Sequence, residues 1–378
     1  MPSTLTIRYA GFYGGFFLTA GILLPFWPLW LESRGLGAVQ IGILLALGPW
    51  VRVLTNPLVA QIADRSGRAK AVLVIFAGLS VLAFAGFIPA QGFWWIAAIS
   101  LLATICLPAM LPIGESQVMA AVLRHKLDYG RIRLWGSITF IVGTLGAGRL
   151  LTGRDPDLIL LLILAALALT FVAAVWFPQQ SSETDKAERG GVATLLRQPR
   201  FVLFVVTASL LQASHAVLNG FSSLHWRAAG ISETFIGGLW AEGVIAEVLL
   251  FSVSGFFVAR LGPVGLLTLA GIAGVVRWTV LAQTTDLATL AIVQVLHGVT
   301  FGAVHLAAMH FVARNAPPGL SATAQGIYAS MTGLAMGLAM IGAGRIFAAF
   351  DGKAFFAMAV ISAIGTVMAL LLWLQERK

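Results

Sequence analysis

The chain alternates between long apolar runs and short polar connections. The runs fall at about 8–31, 39–63, 69–89, 93–123, 131–152, 157–177, 199–226, 232–259, 263–282, 287–313, 321–349 and 353–374. Roughly 20 mostly apolar residues are enough to cross the hydrocarbon of a bilayer, and each run reaches or approaches that length. Inside hydrocarbon the backbone must pair within its own segment, so runs of this kind are helices. The pattern therefore predicts an all-α, polytopic membrane protein with twelve transmembrane helices.

Composition agrees. Hydrophobic residues make up 59% of the chain and charged residues 10%, where a soluble domain carries about 25% charged residues. With the N-terminus inside, roughly 16 Lys and Arg fall on the cytoplasmic side and roughly 6 on the other. Both termini are then cytoplasmic, in an inner (cytoplasmic) membrane of bacterial type. The inward bias accounts for the net charge of +9, so the basic total calls for no nucleic acid. The single cysteine, Cys106, lies within a run and excludes an intrachain disulfide. The first run has no convincing cleavage site and reads as a retained helix.

The most polar connection, PQQSSETDKAERGGVATLLRQP from Pro178 to Pro199, separates six runs from six. It predicts two six-helix bundles, 1–178 and 199–378, joined by a cytoplasmic linker over 179–198. The bundles are related in sequence. The offset that carries Phe26 onto Phe221 also carries Gly35 onto Gly230, Ile41-Gly42 onto Ile236-Gly237, Gly48 onto Gly243, Arg65 onto Arg260 and Gly67 onto Gly262. Internal repeats of this sort are common in transporters. The same offset relates Arg52 to Glu247, which predicts opposite charges on facing walls of one central space.

The connection after the second run reads AQIADRSGRAK, Ala60 to Lys70. It resembles the helix 2 to 3 signature of the major facilitator superfamily, Gly-x-x-x-Asp-Arg/Lys-x-Gly-Arg-x-Arg/Lys, with Ala60 in place of the first glycine. Asp64, Arg65, Gly67 and Arg68 would form the gating motif, a glycine turn beside a charge cluster that latches the cytoplasmic face. In the second half Gly255, Arg260 and Gly262 keep part of the pattern, while Ala259 stands at the acid position. More narrowly, LDYGRIRLWGS (127–137), LLQASHAVLNGFSSLHW (210–226), GVIAEVLLF (243–251), GVVRW (274–278), VQVLHG and VHLAAM resemble the phenylpropionate permease group, near lactose permease.

Ionised side chains cost about 2.5–3.5 kcal/mol at a helix centre, so those within the runs are functional candidates. They are Arg52, Glu115, Arg133, Glu242, Glu247 and Arg277. A hairpin turning near Arg124 would bring Glu115 and Arg133 to similar depth on antiparallel helices, where they can meet. Lactose permease carries a Glu and an Arg at the same separation, holding sugar. The resemblance also implies that Phe140, two turns after Arg133, is the ring that stacks on substrate. A charge pair that merely pins the two helices is the ordinary alternative.

In the second half, Glu247, Arg277 and His297 form a comparable set. Arginine keeps its proton, whereas a desolvated carboxylate can exchange one, which makes Glu247 and then Glu242 the candidate proton sites. The resemblance implies a proton-carrying glutamate three residues after His297. This chain has Thr300 there, so proton coupling would fall to Glu247, Glu242 or Glu115.

Gln212, His215 and Asn219 share one helical face and suit a cavity wall. Gln325, Tyr328 and Thr332 repeat that spacing. Arg52 and Asn56 share a face between Pro49 and Pro57, where a cation would suit an anionic solute. Tyr9, Tyr13 and Phe16 or Phe17 can present aromatic surface, although such a stripe is more often packing. His225, His305 and His310 read as interface or packing residues.

These features predict a monomeric secondary transporter in the lipid bilayer, taking up a small organic solute with protons by alternating access. It would be no enzyme and use no metal or cofactor. The resemblance implies an aromatic carboxylate such as phenylpropionate, with Arg133, Arg52 and Arg277 as candidate partners. A sugar or nucleoside symporter, a drug and proton antiporter, an integral-membrane enzyme and a non-transporting sensor are the alternatives. Gly143 to Gly148 lacks the proline of the antiporters' helix 5 motif, which favours uptake.

Overall fold

The computed structural model describes residues 4–179, 191–317 and 320–376, apart from the side chains at 57, 60, 61, 63–66 and 376. All regular structure among them is helical. The first half comprises α1 (Thr4–Ser33), α2 (Ala38–Ser66), α3 (Ala69–Ala85), α4 (Phe93–His125), α5 (Tyr129–Leu151) and α6 (Asp157–Trp176). A short α7 (Gly191–Leu196) precedes α8 (Pro199–Ala213), α9 (Ala216–Ala228), α10 (Glu233–Ser252), α11 (Ser254–Leu281) and α12 (Leu287–Gln294). A π-helix, Gly298–Ala303, leads into α13 (Val304–Asn315), followed by α14 (Ser321–Phe350), a 3₁₀ turn (Asp351–Ala354) and α15 (Phe355–Glu376).

Ten stretches among the described residues are long and apolar enough to span a membrane. The last, Ser321–Gln375, contains both α14 and α15, and α3 is a shorter apolar helix. Together they account for the twelve predicted runs. Large apolar side chains such as Trp94, Leu123 and Ile292 stand exposed, as expected where lipid rather than water is the solvent.

Three runs are interrupted. The seventh breaks at Ser214 and His215, between α8 and α9, and the tenth widens into the π-helix. The eighth breaks at Val253, and the turn into the ninth falls at Gly262, whose φ of 63° and ψ of 179° are not helical. Gly262 and its repeat partner Gly67 share a left-handed φ, 63° and 61°, and so do Gly35 (79°) and Gly230 (86°). Glycine adopts this region at no steric cost. The repeat in sequence is thus a repeat of turn geometry.

The chain divides into two compact units, residues 1–185 with 230–241, and residues 186–229 with 242–378. In the first, α1 packs mainly on α5 and α6, and α4 packs on α2 and α3. Small residues make the α1 contacts close: a Cβ on Gly21 would lie 2.4 Å from the Phe140 carbonyl oxygen, and one on Gly15 would lie 2.9 Å from Thr170 Cα. Residues 230–241 join this unit because a Cβ on Gly237 would lie 2.3 Å from the Thr144 carbonyl oxygen. Thr234 N also donates to Thr152 Oγ1 at 3.1 Å.

In the second unit, α11 packs on α15 and α8 packs on α14 and α15. Gly271 and Gly274 press against Thr366 and Ser362, and Phe204 stacks on Phe311 at 3.7 Å. Residues 180–190 of the predicted linker lie outside the described residues. In its remainder α7 buries Leu195 and lays Gly191 on Leu320.

Candidate functional site

In the first unit the predicted pair is drawn together by a third residue. Glu115 on α4 accepts a hydrogen bond from the Tyr13 hydroxyl of α1 at 2.8 Å and a second from the Tyr129 hydroxyl of α5. Arg133 lies over Phe17, 4.1 Å from its ring centre, and 5.5 Å from that of Tyr13. No direct ion pair joins Glu115 and Arg133 among the described residues. The expected contact is instead an aromatic bridge, because α1 inserts Tyr13 between the two charges.

Gly136 makes room for this arrangement, since a Cβ there would stand 2.7 Å from both Arg133 Nη1 and the Phe17 ring. A cation over an aromatic face is worth about 0.5–2 kcal/mol, and hydroxyl donors to a carboxylate are charge-assisted. The cluster thus holds one acid and one base half-buried beside flat apolar surface. Phe140 is buried at the α1–α5 contact, where its backbone meets Gly21.

In the second unit Arg277 on α11 has no exposed surface. Its Nη2 donates to Gln294 Oε1 at 2.7 Å, and its Nη1 donates to Thr300 Oγ1 at 2.7 Å and faces His297 Nδ1 at 3.2 Å. Its plane lies 4.6 Å from the Trp278 ring centre. His215, set at the break between α8 and α9, approaches Thr300 Oγ1 with Nε2 at 3.2 Å and the Gln212 carbonyl with Nδ1 at 3.1 Å. Trp278 is itself pinned by Ser214 and Ser362.

Every hydrogen-bond partner of this buried cation is neutral or a ring nitrogen. No carboxylate stands within ion-pair distance of it among the described residues. Its Nε is buried with no acceptor among the described residues. An uncompensated buried guanidinium with one unused donor is a ready receiver for an anion.

Glu247 lies where α10 meets the π-helix, with Cγ 3.5 Å from the place a Cβ on Gly302 would take. Glu242 is half-buried on the same helix. Gln212 and Thr332 lie beside the Tyr328 hydroxyl, so Gln212 and Tyr328 share one polar patch. Asn219, one turn beyond His215, is half-buried. Arg52 is exposed and donates to the Gly48 carbonyl at 3.3 Å, while Asn56 Oδ1 is buried without a partner. Gly67 makes the predicted turn before α3 and Arg68 is exposed beside it; the side chains of Asp64 and Arg65 lie outside the described residues. His225 meets Asp351 at 3.2 Å, a local pin between α9 and the 3₁₀ turn.

The model of the MFS_1 like family matches residues 6–358, nearly the whole chain. The chain belongs to the major facilitator superfamily. Within it, this member falls in the phenylpropionate permease group: it is 34% identical over 304 residues to the probable 3-phenylpropionic acid transporter of Escherichia coli (strain K12), covering 80% of each chain. It is 25% identical over 370 residues to the maltose permease of Geobacillus stearothermophilus, covering 97% of this chain and 94% of that one. A crystal structure of the nucleoside transporter NupG superposes with a TM-score of 0.85 at 17% identity, over 98% of this chain and 99% of the other. At that identity the likeness establishes the fold alone. The chain is a multi-pass secondary transporter for a small molecule rather than an enzyme.

For this major facilitator, sequence reasoning missed Tyr129 as a second donor to Glu115, and Gln294 and Thr300 as the partners of Arg277. In the sequence Thr300 is marked only by the glutamate it replaces. A signal for Gln294 was present, since it stands one helical turn before His297. No sequence pattern marked the π-helix that turns Thr300 towards Arg277.

Proposed function

We propose that this transporter takes up a small aromatic carboxylate together with protons, by alternating access, as a monomer in an inner membrane with both termini cytoplasmic. The observation that carries the reading is Arg277, wholly buried among neutral acceptors with Nε unused. A carboxylate supplies the charge and the acceptor atoms this guanidinium lacks. The 34% identity to a probable 3-phenylpropionic acid transporter supports an aromatic acid.

In this reading Glu115, Arg133, Phe140, Arg52, Asn56, Gln212, His215, Asn219 and Tyr328 contribute to solute binding. Glu247, Glu242 and His297 are the candidate proton groups beside Arg277. The deciding experiment is a thermal-shift panel of aromatic carboxylates, nucleosides and maltose on purified protein, with radiolabelled 3-phenylpropionate uptake in proteoliposomes. Aromatic carboxylates should stabilise the wild type and fail to stabilise Arg277→Gln. Stabilisation by a nucleoside or by maltose, with none by any carboxylate, refutes the reading.

A further inference from the structure

The partners of the two histidines fix where their protons sit. Arginine has donors and no acceptor, so His297 Nδ1, which faces Arg277 Nη1, must offer a lone pair. The proton of that ring is therefore on Nε2. His215 Nδ1 faces the Gln212 carbonyl, an acceptor, and so carries its ring's proton. His215 Nε2 then accepts from the Thr300 hydroxyl, whose oxygen accepts from Arg277 Nη1. Donors and acceptors can be matched from Arg277 through Thr300 and His215 to the Gln212 carbonyl, the Thr300 hydroxyl being shared with the His297 carbonyl, its longer acceptor at 3.4 Å.

Both rings are neutral in this arrangement. A second proton on His297 Nδ1 would set an N–H against an N–H and a cation against a cation. The ring cannot hold it while Arg277 points at that nitrogen. The titratable and charged groups that act on His297 are Arg277 from α11 and His215 from the α8–α9 break. From α10, Gly243 lies against the ring, a Cβ there being 3.2 Å from His297 Cγ. Glu242 and Glu247 stand on that same helix, and no ion pair from either of them to His297 is found among the described residues.

We propose that His297 is the proton acceptor of this transporter, and that it accepts only when a solute carboxylate has drawn Arg277 away from its Nδ1. This rests on the anion reading above. The carboxylate pairs with the guanidinium, the Nη1 contact to His297 breaks, and the freed lone pair takes one proton from water to give an imidazolium. Release reverses the order: Nδ1 gives its proton back to water, Arg277 returns to it, and the carboxylate loses its partner. The site carries one positive charge when empty. It carries the same when loaded, because one anion and one proton arrive together, so the coupled movement is electroneutral at one proton per carboxylate.

Proton uptake on binding tests this directly. Purified protein in weakly buffered detergent solution, slightly above neutral pH, receives 3-phenylpropionate adjusted to the same pH, while a pH dye reports protons and thermal shift reports binding. The wild type should take up about one proton per carboxylate bound. His297→Gln, or His297→Asn should the first variant not purify, should still be stabilised by the ligand but take up almost none. Wild-type binding without proton uptake overturns the proposal, as does full proton uptake by the folded His297 variants. Those outcomes leave the anion reading standing. If no carboxylate stabilises the wild type, the anion reading falls and the proposal falls with it.

Discussion

Replacing Gly298 with alanine asks whether the π-helix must lie directly against α10. A Cβ at 298 falls 2.6 Å from the Ala246 carbonyl oxygen, 2.8 Å from its carbon and 3.2 Å from Glu247 N. All three are backbone atoms, so no side chain can rotate aside and the helices themselves must part. Overpacking of this kind costs about 1–3 kcal/mol, while alanine's better helix propensity returns at most about 1 kcal/mol. With the full propensity gain subtracted, the net is a loss of about 0–2 kcal/mol.

Gly146 on α5 supplies the comparison, because nothing lies within 4 Å of its Cβ position. Gly146→Ala should gain about 0.5–1 kcal/mol from the backbone alone. The assay is the midpoint for thermal loss of monodisperse protein in detergent, at one heating rate because such unfolding is irreversible. Gly298→Ala should melt a few degrees below wild type and Gly146→Ala at or above it. If both variants melt at or above wild type, the contact has slack, and the placement of Thr300 loses its rigid support.

Tyr13→Phe removes a hydroxyl that donates to a carboxylate and should lower stability by about 1.5–3 kcal/mol. In a double-mutant cycle with Glu115→Gln the shifts in melting midpoint at one heating rate should be non-additive, and strict additivity would dismiss the bond. Asp286, ahead of α12, accepts from Thr289 N and Oγ1, each at 2.8 Å, and these bonds hold its pKa below the usual aspartate value. Its stabilisation is therefore complete above the ordinary aspartate pKa and is lost as pH falls through the lowered folded value. The melting difference between wild type and Asp286→Ala should hold from about pH 8 to pH 5 and close under stronger acid. A gap that persists in strong acid counts against the capping bond.

Apolar length alone made the membrane-spanning runs legible, because lipid leaves the backbone no option but the helix. The repeat was legible for a similar reason. Gly35, Gly67, Gly230 and Gly262 occupy left-handed turns that penalise other residues, so the constraint shows in the letters. The approach of Glu115 to Arg133 could be judged from depth along an antiparallel hairpin. Depth says nothing of what comes between them, and Tyr13 arrives from a helix a hundred residues away because Gly15, Gly21 and Gly143 let α1 sink against α5 and α6. The partners of Arg277 were illegible for another reason. Which residues of the tenth run face α11 depends on local winding, and that winding changes at Gly298.

The wide turn at Gly298–Ala303 closes hydrogen bonds one residue later than an α-helix does. It therefore slips the phase of everything beyond it by about 100°. A helical-wheel projection drawn through the tenth span from Leu287 to Asn315 would place His305 and His310 on a false azimuth relative to His297. Variants selected on α13 by counting turns from His297 will probe the neighbouring stripe of that helix, and the count has to restart at Val304.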